Sequence, residues 1–203
     1  MLQTQTVVPD LLELLINLMN EESFNGFALA GGTSLALQLG HRKSVDIDMF
    51  GNSEIQPALF YDILSGFGTV VERQSSANIY ISEINKIKVD FVNYSRFPQI
   101  DDIIEIDGIR MFSPKEIAAM KLNAISGRGS KKDFIDLYYL IQTFSLGQMI
   151  DFYRDKYTDA SEFMMLKSLT YFGDADLQPQ PKVFKEFNWE VCKKYILQEV
   201  NKL

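Results

Sequence analysis

Asp46 and Asp48 occupy alternate positions of the apolar run Val45-Asp-Ile-Asp-Met49, and a strand points residues i and i+2 to one face. The two carboxylates are expected side by side, with Val45, Ile47 and Met49 packed behind the sheet. Adjacent ionised carboxylates repel each other, so an ordinary core has no use for them. A hard divalent cation such as Mg²⁺, which prefers carboxylate oxygens, would stabilise the pair. Upstream lies Phe27-Ala-Leu-Ala-Gly-Gly-Thr-Ser34, a short apolar run followed by two glycines. Backbone without a Cβ can approach a phosphate closely, and a following helix aims its free N–H groups at an anion. Strand, Gly31-Gly32, helix, then Asp-x-Asp on a second strand is a plan for holding a metal–nucleotide triphosphate. A third acid, Asp90, lies in Lys86-Ile-Lys-Val-Asp-Phe-Val92. There Ile87, Val89 and Phe91 share one face and Lys86, Lys88 and Asp90 the other. Asp90 is expected to complete a triad with Asp46 and Asp48; exposure on an edge strand is the plainer alternative.

The elements that must position these groups follow from periodicity and punctuation. Pro9 to Asn20 reads as a leucine-rich helix with proline at its start. The helix after Gly31-Gly32 carries Leu35, Leu37 and Leu39 and stops at Gly40. A helix is predicted over 57–66, with strands over 69–74, 77–82 and 86–92. Asp107-Gly108 signals a tight turn. Ser113, Pro114 and Glu116 fill the N-cap, N1 and N3 positions of a helix running to about Ile125. Gly127 and Gly129 interrupt it before a second helix over 131–144. The remainder reads as helical, with a loop over 177–181. The expected fold class is α+β: a mixed β-sheet core with flanking helices over 1–112 and a helical C-terminal region over 113–203.

With 203 residues, 46 % hydrophobic, the chain has ample length for a core. It has no apolar run long enough to cross a bilayer. The start lacks a basic n-region, and the single cysteine, Cys192, precludes an internal disulfide. A cytoplasmic location is therefore expected, with no membrane partner. One His and one Cys argue against zinc, so any metal is expected on oxygen ligands. The net charge of −7 argues against a broad nucleic-acid-coating surface, although Lys115 to Lys132 carries five cations against Glu116 alone. His41, in a loop beside Arg42, is expected at the surface.

Gly31-Gly32, a thirteen-residue gap, Asp46-Ile-Asp48 and later Val-Asp90-Phe resemble the pattern of the nucleotidyltransferase superfamily. Ala-Gly-Gly-Thr-Ser-Leu-Ala-Leu, Gly-His-Arg-Lys-Ser-Val-Asp-Ile-Asp-Met-Phe, and Lys121 followed by Arg128-x-x-x-Lys132-Asp133-x-x-Asp136-Leu137 look more specifically like the AbiEii toxin family. The resemblance implies a nucleotidyltransferase-fold sheet core and an Mg²⁺-dependent transfer of a nucleoside monophosphate from an NTP. It implies a hydroxyl acceptor on RNA, such as the 3′ end of a tRNA, or on a protein, and a cognate antitoxin as partner. Residue by residue it implies Gly31, Gly32 and Thr33 at the phosphates, with Arg42 and Ser44 flanking the site. It implies Asp46 and Asp48 as metal ligands, Lys121 on the triphosphate, and Asp133 or Asp136 as a further functional acid. Asp90 would add a metal ligand or a general base. In one departure Lys132 stands where the family has arginine, keeping the charge but losing the bidentate fork. The alternative function is a catalytically idle nucleotide- or partner-binding module of the same fold.

Overall fold

The computed structural model describes all 203 residues, which divide into two compact units. One comprises 1–40, 44–97 and 103–112, and the other 41–43, 98–102 and 113–203. The main division falls at Phe112/Ser113, where the composition shifts from mixed to helical. The short segments 41–43 and 98–102 group with the helical unit, which local sequence pattern does not disclose. No helix is long and apolar enough to cross a membrane.

The first unit is built on a seven-stranded mixed sheet. Its strands are β1 Phe27–Leu29, β2 Asp46–Gly51, β3 Val70–Ser75, β4 Ile79–Ile84, β5 Ile87–Asn93, β6 Ile104–Ile106 and β7 Ile109–Met111. They run in the order β3-β4-β5-β2-β1-β7-β6. The two central acidic strands, β2 and β5, are parallel and directly paired. Both are interior strands, which removes edge exposure as the reason for Asp90. Helices α1 Pro9–Asn20, α2 Gly31–Leu39 and α3 Pro57–Ser65 complete the unit.

Alternation along β2 and β5 sends Ile47, Met49, Val89 and Phe91 into the core. There they join Leu11, Leu14, Leu15 and Leu18 of α1 and Phe60 of α3. The rings of Phe24, Phe27, Phe60 and Phe91 meet edge-on or tilted, with centroids 4.6–6.0 Å apart. Two expectations shift by one residue. β2 begins at Asp46, so Val45 is 56 % exposed rather than packed behind the sheet. Lys86 is not in a strand: with Asn85 it forms a two-residue hairpin turn, both at positive φ, the geometry a tight β-hairpin needs.

The second unit contains α4 Pro114–Gly127, α5 Lys131–Leu140, α6 Leu146–Lys156, α7 Glu162–Leu169, α8 Gly173–Asp176 and α9 Trp189–Val200. Ser113 caps α4 by accepting the Glu116 N–H at 3.2 Å. Gly127 does not interrupt this helix; the break comes at Gly129, in the left-handed region with φ 48°. Glu116 does not complete a capping box. It is fully buried, pairs with Lys156 Nζ at 2.8 Å, and accepts the Ile100 and Asp101 N–H groups. Lys156 also donates to the Pro98 carbonyl at 2.9 Å. This ion pair accounts for residues 98–102 grouping with the helices.

Gly51, the last residue of β2, pairs with Phe27 at a point where a Cβ would run into the Gly26 carbonyl. Neither backbone can retreat without disturbing the sheet. Gly51→Ala is expected to cost about 3 kcal/mol of stability, the scale of overpacking against fixed backbone. Chemical denaturation of the variant beside the wild type measures it.

Candidate active site

Strand register decides where the three acids go. On β2 and β5, Asp46 is the partner of Lys88 and Asp48 the partner of Asp90. Directly paired residues share a face, so Asp46, Asp48, Lys88 and Asp90 form a square on the side of the sheet away from the core. Asp48 also meets the glycine turn. Gly31 has φ +64°, and a Cβ placed on it would lie 2.5 Å from Asp48 Oδ2. Glycine is required there twice over, by conformation and by the carboxylate beside it. The main chain adds a tie, the Ala30 N–H donating to the Asp48 carbonyl at 2.8 Å.

Gly31, Gly32 and Thr33 form the first turn of α2, and no side chain caps it. Its leading N–H groups have no acceptor within the helix. The Thr33 side chain serves a different purpose from the phosphate contact expected of it. Its hydroxyl is buried, donates to the Asp46 carbonyl, and lies 2.8 Å from Ser44 Oγ. Thr33 and Ser44 thus fix the start of β2, and what Thr33 can offer an anion is its main-chain N–H.

The three carboxylates share a face, yet no three His, Cys, Asp or Glu side chains gather closely enough to hold a metal ion. A reason lies at Asp90, whose Oδ2 is paired with Lys88 Nζ at 2.5 Å. Its other oxygen, Oδ1, is buried with no hydrogen-bond partner. Burial pushes the Lys88 ammonium down, but the hydrogen bond and charge of Asp90, followed by Asp48 and Asp46, leave its pKa raised. The sequence places Lys88 on the same strand face as Asp90, and the structure adds the ion pair between them.

The remaining expected residues gather in the helical unit. Asp136 Oδ1 receives His41 Nε2 at 2.7 Å and Arg42 Nε at 2.6 Å. Its Oδ2 receives the second arm of the Arg42 fork at 2.8 Å and Lys121 Nζ at 2.6 Å. Lys121 also pairs with Asp133 Oδ1 at 2.8 Å, and Arg128 and Ser130 bond the same carboxylate. Lys121 is 4 % exposed, and both aspartates are fully buried. Burial alone would raise the Asp136 carboxyl; Arg42, then Lys121, hold it well below the usual carboxylate range. Asp133 is likewise lowered against its burial by Lys121 and Arg128. Burial also lowers Lys121, and Asp136 and Asp133 more than restore it. As found, Lys121 spends its ammonium on two carboxylates rather than presenting it to a phosphate. His41, expected at the surface, is fully buried. Its partner lies 95 residues away, so nothing near it in sequence signals that burial.

Residues 13–191 match the model of a family described as nucleotidyl transferase AbiEii toxin, type IV TA system. The chain belongs to the AbiEii nucleotidyl transferase toxin family. It is 33 % identical over 185 residues to an uncharacterized protein of Aquifex aeolicus, covering 85 % of this chain and 89 % of that one. Among solved structures it resembles JHP933 from Helicobacter pylori, with TM-score 0.60 and 15 % identity over 95 % of this chain and 88 % of that one. It also resembles MenT4, a nucleotidyltransferase toxin from Mycobacterium tuberculosis, with TM-score 0.57 and 14 % identity over 96 % and 83 % of the two chains. The fold is that of the nucleotidyltransferases, and this AbiEii chain is a nucleotidyltransferase toxin by family.

His41 is the only histidine in the chain, which makes its titration separable. Burial, the largest influence, lowers its pKa, and Arg42 and Lys121 add to that against the opposing pull of Asp136. The folded state therefore holds His41 neutral at a pH where the unfolded chain, with a histidine near 6.5, takes up a proton. The contribution of this histidine to stability should be flat above about pH 7 and fall below about 6.5, by at most about 1.4 kcal/mol per pH unit. In His41→Gln the fall between about pH 6.5 and 5.5 should vanish, since only histidine titrates there. Urea midpoints across that range test this, and equal slopes in both proteins would refute it.

Proposed function

We propose that this AbiEii protein transfers a nucleoside monophosphate from an NTP to an RNA hydroxyl, using Mg²⁺ held by Asp46, Asp48 and Asp90. The observation that carries the reading is the β2–β5 register, which pairs Asp48 with Asp90 while the Asp48 carboxylate lies against Gly31. The donor set is all-oxygen, as Mg²⁺ prefers, and the orphaned Asp90 Oδ1 is the kind of buried acceptor a cation would satisfy. When bound, the metal offsets charge growing on the phosphates as pyrophosphate departs.

The chain's own residues do the rest. Gly31, Gly32 and Thr33 direct main-chain N–H groups at phosphate oxygens from the head of α2. An acceptor hydroxyl oxygen attacks the α-phosphorus, and the bond from that phosphorus to the bridging oxygen breaks. Asp90 has two oxygens, so one can stay in the ligand set while the other takes the hydroxyl proton. Thr33 and Ser44 hold the strand that carries Asp46. Within the helical unit, Lys121, Arg42, Arg128 and Ser130 hold Asp133 and Asp136 in place.

Charge distribution bears on the acceptor. The sheet unit holds five Lys and Arg against 13 Asp and Glu, net −8, whereas the helical unit holds 15 against 14, net +1. The acidity that argues against a nucleic-acid partner is therefore confined to the sheet unit. By family resemblance the RNA acceptor includes the 3′ end of tRNA, and a cognate antitoxin restrains the activity. The Lys88–Asp90 ion pair favours a second reading, an idle nucleotide-binding module in which the third carboxylate is permanently occupied.

One experiment separates these readings. Purified protein is incubated with each α-labelled NTP, Mg²⁺ and total cellular RNA, and the labelled species are resolved. A labelled RNA band lost on chelation is expected; label on protein alone would shift the acceptor, and nucleotide binding without transfer would establish the idle module. Asp48→Asn should lower transfer by about 10²–10³-fold, the scale of losing a group that stabilises transition-state charge, and Gly31→Ala, whose Cβ would press on Asp48 Oδ2, should lower it as well.

A further inference from the structure

The acidic face contains a cation that the proposed chemistry does not use. Lys88 projects from β5, an interior strand, so it is not one of the lysines that guard sheet edges against aggregation. It stands opposite Asp46 and two residues along the strand from the Asp48–Asp90 pair, with its Nζ 2.5 Å from Asp90 Oδ2. Its side chain is 46 % exposed, so the ammonium has an open route to water on a flexible four-carbon stem.

We propose that Lys88 is a built-in counter-ion of the carboxylate face, which holds the metal's place against Asp90 and gives it up when a divalent cation binds. The inference rests on the metal-binding reading above and concerns its regulation. Three carboxylates held on one sheet face repel one another in the metal-free protein, and a monovalent ammonium among them relieves part of that repulsion. A divalent ion offers twice the charge and can be shared among the three carboxylates, where the ammonium grips a single oxygen. Lysine suits the task better than arginine. Its ammonium is a compact point charge that rehydrates readily, whereas a guanidinium would lock onto Asp90 through a planar fork. The arrangement also explains why three acids in register do not already form a closed ligand set. The orphaned Asp90 Oδ1 marks the coordination that the lysine leaves unfilled.

The test measures metal binding and stability without turnover. Mn²⁺ is titrated into nucleotide-free wild type, Lys88→Met and Lys88→Arg by calorimetry, with thermal midpoints recorded in chelator and in Mn²⁺. Lys88→Met should bind Mn²⁺ about tenfold more tightly, the scale of removing one competing charge from a partly solvated site. It should also melt lower in chelator and gain more from Mn²⁺ than the wild type does. Lys88→Arg, which keeps the charge and folds as a conservative control, should bind no more tightly than wild type. Wild type and Lys88→Met binding equally well would overturn the counter-ion proposal and leave the metal site standing. Failure of both to bind would overturn the metal site itself, and this inference with it. Tight binding by Lys88→Met alone would establish the lysine as the gate.

Discussion

Asp48 and Asp90 stand opposite each other on adjacent parallel strands, and something must oppose the repulsion of their charges. At the ~4.8 Å separation of neighbouring strands, two unit charges at an effective dielectric near 20 repel by about 3 kcal/mol. What overcomes this lies on the other side of the same strands. Ile47, Met49, Val89 and Phe91 are fully buried, and each such side chain contributes about 2 kcal/mol on burial. The alternation that exposes the acids is also what buries their neighbours. Sliding either strand by one residue would lose both, so the core fixes the register and the register fixes the acids.

The helical unit meets a similar problem by different means. Asp133 and Asp136 are fully buried, where an unpaired charge is not tolerated. Asp136 accepts from His41, from Arg42 twice and from Lys121, which fills the capacity of its two oxygens. Asp133 is matched by Lys121, Arg128 and Ser130. Removing one member of such a network is costly because the partners stay buried. The sheet face, by contrast, leaves an oxygen of Asp90 unmatched. A saturated network is suited to fixing a shape, and an unsaturated one to receiving a ligand.

This contrast explains which features could be read from sequence. Asp46, Asp48 and the Gly31-Gly32 turn are legible because strand period and glycine chemistry act over a few residues. The acid in the middle of 86–92 is legible for the same reason, and the sheet order then places it next to Asp48. The cap at Ser113 and the turn at Asp107-Gly108 are local as well. Pairing at long range is not legible. His41 looked like a surface residue because Asp136 is 95 positions away. Glu116 looked like half of a capping box because Lys156, 40 positions on, does not show in any local pattern. Val45 failed for a smaller reason, a strand boundary one residue later than the apolar run suggests.

The stretch from His41 to Asp48 divides its work between the two units. His41 and Arg42 belong to the buried network of the helical unit, where both bond Asp136. Lys43 is held in that unit by its N–H to the Lys182 carbonyl at 2.8 Å. Ser44 returns to the sheet unit, bonding Thr33 through its hydroxyl and Thr6 through its N–H. Asp46 and Asp48 then enter β2. Eight consecutive residues thus serve two different electrostatic environments, one saturated and dry, the other half-exposed and with an oxygen of Asp90 unmatched. The family pattern that spans them joins residues of unlike work. Arg42 satisfies a carboxylate that must never be left alone, while Asp46 and Asp48 stay half-buried on the face of the sheet away from the core.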